Sequence, residues 1–332
     1  MKIIRIFLLI FALSLSAQAE TSDSDFDAWI KSFKDLAKVQ GISTKTINTI
    51  MGKAKFLPNV IKYDRFQPEF YEDTATYINK RTSNSKVKNG INLYYKNNKL
   101  INNVENEFAV EKELLLSLMG IETNFGKYLG KMDIVSSLAT LSFDKRRSVF
   151  FTNELLTLLK LIDQKIINPN TLFGSWAGAF GNFQFMPSTI KNYAINYDEN
   201  KSIELKTIND SFASAANYIN KIGWKNNEPC FIEIKLKNNV PKKYLNTSAK
   251  KLKNKKKIKY FKKYINSSDK LNQFNNFVVA IITPDKDIIP GSDDLTPAYI
   301  VFDNYELILK WNRSLRFGLA VCTLKEKFEN EL

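Results

Sequence analysis

The sequence predicts an α+β protein that is mainly α-helical and has a small β-rich region near its C-terminus. Two observations lead to this fold class. Between about residues 25 and 227, apolar side chains recur at three- and four-residue steps, as they do on one face of a helix. From Cys230 the pattern changes, because residues 231–236 alternate with the period of two that is typical of a strand.

The N-terminus has the pattern of a cleavable secretory signal, which we predict over residues 1–19. Two basic residues precede an apolar run from Ile6 to Leu15, and Ala17-Gln18-Ala19 matches the small-residue cleavage motif. The run is too short for a confident membrane span, and no later stretch approaches the required length. We therefore predict cleavage near Ala19, export and no transmembrane anchor. An N-terminal anchor that is kept is the alternative.

The N-terminal helical part is predicted over residues 20–108. Gly41 breaks its first amphipathic stretch, and Ser43 is a suitable N-cap for the helix that follows. Residues 66–70 form a predicted turn with aromatic anchors. Since no Gly/Ser linker and no repeat interrupts this part, we predict one continuous helical body whose helices lie within 25–50, 71–81 and 86–107.

A carboxylate ends the next apolar helix, which is predicted over about residues 110–123. Glu122 extends the buried stripe formed by Leu114, Leu118 and Met119. Glu is rarely buried unless it is paired or functional. Burial and the negative end of the helix dipole would both raise its pKa, as a general acid requires. A structural Glu bonded to backbone N–H groups of the next loop is the alternative.

Two further segments could contact a ligand. Arg146 and Arg147 open a helix; adjacent arginines are usually solvated, but they can also clamp carboxylates. Residues 174–188 mix glycines, small residues and aromatics too irregularly for a helix. Such a loop can bring its backbone close to a sugar and present Gln184 to it. A tight helix crossing built on Gly and Ala is the alternative.

The β-rich region is predicted over residues 228–332. Its expected elements are strands within 231–236 and 277–282, one or two strands within 299–309, and a helix over about 314–329. Residues 241–263 hold eleven Lys and no acidic residue, within a chain of net charge +15. We interpret them as a solvated, partly disordered loop. Binding to an anionic wall polymer or phospholipid is the alternative, and DNA is a weaker one.

The composition excludes several kinds of site. The chain has no His, which excludes Ser-His-Asp and Cys-His catalysis and His-ligated metals. Its two cysteines, Cys230 and Cys322, are too few for a structural zinc site. They either pair as a disulfide or lie apart, and the sequence leaves both arrangements open. Carboxylates are the main catalytic groups that remain.

These segments together resemble the lytic murein transglycosylase B family. Seven blocks occur in the family's order and spacing, at residues 66–70, 120–126, 138–141, 174–179, 184–188, 215–219 and 312–314. The resemblance implies a lysozyme-like catalytic core over residues 109–227, between the N-terminal helical part and the β-rich region.

The family cleaves the β-1,4 bond between N-acetylmuramic acid and N-acetylglucosamine and leaves a 1,6-anhydro-muramyl end. The resemblance implies that Glu122 alone acts first as acid and then as base, whereas ordinary glycosidases use two carboxylates. It implies a soluble, periplasmic, monomeric enzyme that acts on peptidoglycan glycan strands, does not bind nucleic acid, and could also contact other cell-wall enzymes. A muramidase that hydrolyses the same bond and a non-catalytic peptidoglycan-binding protein are the alternatives.

The resemblance also implies the substrate-binding residues. Arg146 and Arg147 match the family's arginine pair, which faces lactyl or peptide carboxylates. Trp311 replaces a Tyr found in many relatives, and so does Phe150, so that a hydroxyl donor is lost at both positions. The residues expected around the glycan are Ser175, Gln184, Phe185, Met186, Tyr218, Trp311 and Asn312.

Relatives often carry a calcium-binding, EF-hand-like loop at the position of residues 196–202. Its alternating oxygen ligands persist here as Asn196, Asp198, Asn200 and Ser202. Lys201, however, takes the position of the turn glycine, and the loop has few charged ligands. We therefore expect a weak or absent calcium site and no cofactor.

Overall fold

The structure is a computed structural model that describes residues 23–66, 71–267 and 269–332. The predicted signal peptide, residues 1–19, lies outside these ranges, and so do residues 67–70 of the predicted aromatic turn. The predicted mainly helical α+β fold is confirmed. Within the described ranges, no helix is long and apolar enough to cross a membrane.

The N-terminal part consists of helices joined by short turns. Gly41, with φ of +81°, reverses the chain after the first helix. Ser43 is the N-cap of the second helix, as predicted, because its hydroxyl accepts a hydrogen bond from the backbone N–H of Thr46 at 3.3 Å. The helices are α1 (Asp23–Val39), α2 (Thr44–Met51), α3 (Pro58–Arg65), α4 (Thr74–Arg81) and α5 (Asn84–Phe108).

One buried helix organises the centre of the molecule. In α6 (Lys112–Thr123), every residue from Glu113 to Gly120 is buried. A helix that is covered on all sides is held rigidly, because burying each Leu side chain stabilises the folded state by about 1.5–3 kcal/mol. The elements that follow it are β1 (Met132–Asp133), α7 (Ile134–Phe143), α8 (Ser148–Asp163), β2 (Phe173–Gly174), α9 (Pro187–Tyr193) and α10 (Ile208–Lys221).

The β-rich region contains one sheet with its own small core. Strand β3 pairs antiparallel with β7, β7 pairs antiparallel with β6, and β6 is flanked by parallel β4 and antiparallel β5. The C-terminal helix α13 (Leu315–Glu329) then returns to pack against α6. The strands are β3 (Phe231–Ile234), β4 (Leu245–Asn246), β5 (Lys256–Lys257), β6 (Val278–Ile282) and β7 (Ala298–Val301).

Two sequence predictions for this region are wrong. One or two strands were expected within residues 299–309; β7 covers the start of this range, but residues 303–309 belong to α12 (Asp303–Trp311). Tyr305, Ile308 and Leu309 have the helical spacing and face the core. Acidic side chains in the first turn also stabilise the helix, because they lie at the positive end of its dipole. Residues 241–263 are not a disordered loop either. They contain β4, β5 and α11 (Ile258–Phe261), and they bury Tyr244, Leu252, Ile258 and Phe261.

A disulfide and a buried carboxylate are among the links between the β-rich region and the helices. Cys230 and Cys322 form a disulfide with their Cα atoms 6.0 Å apart, which resolves the pairing that the sequence left open. The second link centres on buried Asp285. Its carboxylate accepts hydrogen bonds from the backbone N–H of Thr74 at 3.0 Å and from the Arg316 guanidinium at 2.7 Å. One carboxylate therefore ties α4 and α13 to the loop after β6.

Candidate active site

Glu122 lies at the C-terminal end of α6 and is half-buried. The helix ends there because Asn124, Phe125 and Gly126 all have positive φ angles. The Thr123 hydroxyl lies 2.8 Å from the carbonyl oxygen of Asn182, to which it donates. The motif around Glu122 is thus a helix terminus anchored to the loop over residues 174–186, and it fixes the carboxylate relative to that loop.

An aromatic stack supports the Glu122 carboxylate. The Trp311 Nε1–H donates a hydrogen bond to Glu122 Oε1 at 2.9 Å. The indole stacks on Tyr218, with ring centroids 5.0 Å apart, and Tyr218 stacks on Tyr193 at 4.3 Å. Burial raises the pKa of the Tyr218 hydroxyl to about 12, so this phenol is neutral and donates to the carbonyl oxygen of Lys310 at 3.2 Å. Trp311 is therefore a positioning residue for Glu122.

If Glu122 is the acid that the family resemblance implies, we expect Trp311→Phe to lower kcat about 10- to 100-fold with little change in KM. Phenylalanine keeps the stack on Tyr218 but removes the N–H donor, and a hydrogen bond to a charged group contributes about 1.5–3 kcal/mol. The measurement is steady-state cleavage of soluble muropeptides. Trp224→Phe is the matched control, because Trp224 donates to Glu111, a carboxylate that precedes α6. Equal losses in both variants would contradict this role of Trp311.

The loop over residues 174–186 is held by its own polar side chains. Gln184 has φ of +50°, and its amide donates to the carbonyl oxygens of Gly181 at 2.9 Å and Leu129 at 3.3 Å. The Ser175 hydroxyl accepts from the backbone N–H of Ala179 at 3.1 Å. The loop also uses a glycine for close packing, since a Cβ on Gly178 would lie 2.4 Å from Leu138. The segment is therefore an irregular loop, as predicted, that packs closely on α7, and the alternative of a helix crossing is wrong.

The other residues expected around the glycan take different positions. Phe185 is 3% exposed and packs edge-on against Trp311, with centroids 5.3 Å apart. Met186 is half-buried at the start of α9, and Asn312 follows the last residue of α12. Phe185 thus packs against the Trp311 indole and is almost fully buried. The contacts of these three residues with glycan stay predictions.

A buried aspartate holds the arginine pair. The Arg146 Nε–H donates to the Asp64 carboxylate at 2.7 Å, and Arg147 forms an ion pair with the same carboxylate. The arginine side chains remain 45% and 40% exposed, while the Asp64 side chain is fully covered. One carboxylate shared between two guanidinium groups leaves a net positive charge. No pattern in the sequence had pointed to Asp64 as a functional residue.

The arginine pair faces a cavity of about 690 Å³ between the helices and the β-rich region. Asn312 lines the same cavity, so the structure brings together three of the predicted residues. Lys250 of the Lys-rich segment also lines it, which the sequence did not indicate, and so do Arg313 and Ser314, which precede α13. The lining residues are Arg146, Arg147, Thr247, Ser248, Ala249, Lys250, Ile288, Asn312, Arg313, Ser314, Leu315 and Arg316.

A second cavity, of about 340 Å³, adjoins Glu122 on the side of α4 and α5. Lys86 lines it and donates to the carbonyl oxygen of Gly120 at 2.7 Å. Burial, together with the neighbouring Arg81 cation, lowers the pKa of the Lys86 amine. This amine lies at the C-terminal end of α6, where it compensates part of the negative helix dipole.

Residues 196–202, the loop expected to have lost its calcium site, hold several of their oxygens in internal hydrogen bonds. Asp198 is the only carboxylate among the four expected ligands, and it accepts hydrogen bonds from the Asn200 backbone and the Asn209 amide. The Asn200 side-chain oxygen accepts from the backbone N–H of Ser202 at 3.1 Å. The side-chain oxygen of Asn196, in contrast, is buried without a hydrogen-bond partner among the described residues, so the expectation of a weak or absent calcium site stays a prediction. Within the described ranges, no cluster of three or more acidic, Cys or His side chains could hold a metal.

Comparisons with known proteins agree with this architecture. The family model described as the transglycosylase SLT domain matches residues 25–326. The membrane-bound lytic murein transglycosylase B of Escherichia coli K12 is 36% identical over 149 residues, which are 45% of this chain and 41% of that protein. The match thus spans less than half of that relative.

Solved structures match most of the chain. SltB3 from Pseudomonas aeruginosa, in complex with NAG-NAM-pentapeptide, superposes with a TM-score of 0.79 and 26% identity, over 92% of this chain and 79% of that one. The E. coli lytic transglycosylase Slt35, in complex with bulgecin A, has a TM-score of 0.74 and 24% identity, over 91% and 93% of the two chains. The likeness to Slt35 shows that the two proteins share a fold.

Proposed function

The chain belongs to the SLT-domain family of lytic transglycosylases, and from this premise we propose that it cleaves the glycan strands of peptidoglycan with Glu122 as its catalytic residue. The observation that carries the proposal is the position of this carboxylate. It ends a rigid, buried helix, receives a hydrogen bond from Trp311, and lies beside the anchored loop over residues 174–186. The SltB3 complex with a muropeptide supports this choice of substrate.

We propose that Glu122 acts twice. As an acid it gives its proton to the glycosidic oxygen, and the bond from that oxygen to muramyl C1 breaks. As a base it then takes the proton of the muramyl C6 hydroxyl, whose oxygen bonds to C1 and closes the anhydro ring. No water is consumed, and Glu122 ends protonated as it began. The C6 hydroxyl competes with water because it is held intramolecularly at a high effective concentration.

The surroundings of Glu122 support the use of one carboxylate. Hydrolysing glycosidases need a second carboxylate that acts on water or attacks the sugar. Among the described residues, Glu122 is the only acidic residue that lines its cavity, and the 690 Å³ cavity has none. The substrate's own N-acetyl group is then the group available to stabilise the positive charge at C1.

The arginine pair is proposed to bind the acidic part of the substrate. Arg146 and Arg147 keep a net positive charge beside Asp64 and stay partly exposed to the cavity. A guanidinium group matches a carboxylate in geometry, as found on the lactyl group and the stem peptide of muropeptides.

Mass spectrometry of products released from purified sacculi tests the proposed function. We expect muropeptides with 1,6-anhydro-muramyl ends, which are one water lighter than reducing ends. Reducing ends alone would identify a muramidase. If the protein bound sacculi but released nothing, it would be a non-catalytic binding protein.

Removal of divalent metal ions is expected to change neither activity nor thermal stability. Asp198 is the one carboxylate among the four expected ligands, and the loop holds itself together by internal hydrogen bonds, so we expect calcium to bind weakly at most. Sacculus digestion and thermal unfolding should be measured before and after treatment with a chelator. A loss restored by calcium would show that the loop is a functional metal site.

We propose that the protein works as a monomer in the periplasm and does not bind nucleic acid. The A-x-A motif that ends at Ala19 supports export, and a disulfide is typical of an oxidising compartment. Contacts with other cell-wall enzymes remain open. Fractionation of cells that express the full chain tests the location, and recovery in the cytoplasm would contradict it.

A further inference from the structure

One turn of the Lys-rich segment is closed by hydrogen bonds and packed on the helices. The Asn246 side-chain oxygen accepts a hydrogen bond from the backbone N–H of Lys253 at 2.8 Å, and its amide donates to the Lys253 carbonyl oxygen at 3.2 Å. Leu252 is buried in the large core that is formed mainly by the helices. Two exposed lysines lie between these anchors. The turn over residues 247–252, which we call the lysine turn, therefore holds both of them in a defined place.

The lysine turn borders two cavities. Residues 247–250 contribute to the wall of the 690 Å³ cavity. A second cavity, of about 300 Å³, is lined by residues 249–252 and by the end of α12. Ala249, Lys250 and Arg313 line both cavities, so the two adjoin. Together they form one groove that includes the arginine pair.

The end of α12 connects this groove to Glu122. Lys310 and Arg313 line the second cavity. Trp311, which lies between them in the chain, donates to the Glu122 carboxylate at 2.9 Å. The Tyr218 hydroxyl, whose ring stacks on Trp311, donates to the carbonyl oxygen of Lys310 at 3.2 Å. Since successive Cα atoms lie only about 3.8 Å apart, a substrate at Glu122 lies beside the groove.

The groove carries positive charge that the protein does not neutralise. Among the residues that the structure describes, four of its cationic side chains form no ion pair with a carboxylate. We call them the cationic cluster; they are Lys250, Lys251, Lys310 and Arg313. A carboxylate, Glu306, also lines the second cavity, but it is paired with Lys255 at 2.5 Å. The cationic cluster therefore adds its charge to that of the arginine pair and attracts anions to the groove.

The wall between these cations is partly apolar. Ala249, Ile288 and Leu315 line the larger cavity together with the hydroxyl-bearing Thr247 and Ser248. Lysines that only keep a surface soluble need no such wall beside them. An occupant that matches both features carries several separate anionic groups with small apolar groups between them.

We propose that the cationic cluster binds the stem peptide of the glycan unit in the groove and makes the enzyme selective for peptide-bearing strands. A stem peptide carries carboxylates that are separated by amide bonds and by the methyl groups of alanine. The carboxylates match the ammonium and guanidinium groups, and the methyl groups match the apolar wall. A phosphate polymer would supply the charge without the methyl groups. The inference rests on the proposed function, which places a glycan strand beside Glu122.

The cationic cluster extends beyond the arginine pair. Arg146 and Arg147 share the Asp64 carboxylate and line the larger cavity. Lys251 and Lys310 line the second cavity instead. The arginine pair is therefore placed for one carboxylate of the substrate, and the cationic cluster for carboxylates further along the peptide.

A nuclear magnetic resonance titration with the free stem tetrapeptide tests the binding without any cleavage. The wild-type protein should bind L-Ala-D-Glu-meso-diaminopimelate-D-Ala, and the binding should weaken as salt is added. K250E and K251E together should raise the Kd at least about tenfold, because a hydrogen bond to a charged group contributes about tenfold or more.

K253E with K256E is the matched control. Both lysines are exposed, belong to the same segment and lie outside the walls of the two cavities as the structure describes them. The control changes the net charge by the same amount, and its Kd should stay within about twofold of wild type, since screening by salt weakens the effect of charges outside the groove.

Cleavage measures the selectivity. The wild-type kcat/KM should be at least about tenfold higher on peptide-bearing strands than on strands whose peptides an amidase has removed. The K250E and K251E double variant should lose this preference, and the control should keep it. Three results would overturn the inference: no tetrapeptide binding by wild type, an equal loss in the control, or an equal loss on peptide-free strands. Tetrapeptide binding through the cluster by a protein that cleaves nothing would uphold the peptide site and reject only the proposed function.

Discussion

Replacing Glu122 with Gln is expected to lower the rate of muropeptide release from sacculi by about 10⁴-fold while leaving sacculus binding intact. Proton transfer by one positioned group contributes about 10²–10⁴-fold, and here a single group serves both transfers. Gln is isosteric and keeps an oxygen that can accept from the Trp311 Nε1–H. The fold and the hydrogen bond should therefore survive, and only the proton transfer should be lost.

Glu111→Gln is the matched control for this variant. Glu111 precedes the same helix α6 at its other end, and its carboxylate also accepts a hydrogen bond from an indole, that of Trp224. This control should retain nearly full activity. If Glu122→Gln kept more than about a tenth of the wild-type rate, Glu122 would not be the acid and base.

Asp285→Ala is expected to lower the free energy of unfolding by about 3–5 kcal/mol. Removing one partner of a buried ion pair leaves the other charge uncompensated, and Arg316 is only 2% exposed. The Thr74 hydroxyl and backbone N–H would lose their acceptor at the same time. Because the carboxylate joins α4, α13 and the β-rich region, urea unfolding should show the loss for the whole molecule.

Asp294→Ala provides the comparison on the same loop. Asp294 also forms an ion pair, with Lys286 at 3.2 Å, but its side chain is 43% exposed. An exposed pair contributes about 0–1 kcal/mol, so this variant should unfold almost as wild type does. Equal losses for the two variants would show that burial of the Asp285 pair is not what stabilises the fold.

The sequence predicted the helical part of the fold well because the apolar period there is long and regular. Helix α6 and the position of Glu122 at its end follow directly from that period. The segment after β7 was misread because it directly follows the aromatic and β-branched run of residues 299–302, which suits a strand. Helix α12 forms there because Tyr305, Ile308 and Leu309 find a core made by distant parts of the chain.

Much of the site could not be predicted from the sequence, since it depends on contacts between distant residues. Trp311 lies 189 positions from the carboxylate to which it donates, and Asp64 lies 82 positions before Arg146. The sequence marked Trp311 and Arg146 through the family resemblance. Nothing in the sequence indicated that one buried aspartate would hold both arginines, or that the indole N–H would donate to Glu122.

The central claim is that one carboxylate catalyses cleavage without adding water. The most direct measurement is digestion of sacculi in water enriched in ¹⁸O, followed by mass spectrometry of the released muropeptides. We predict anhydro-muramyl ends without ¹⁸O, because the C6 oxygen of the substrate itself bonds to C1. Reducing ends that carry ¹⁸O at C1 would show that water attacks instead, and would contradict the one-carboxylate mechanism.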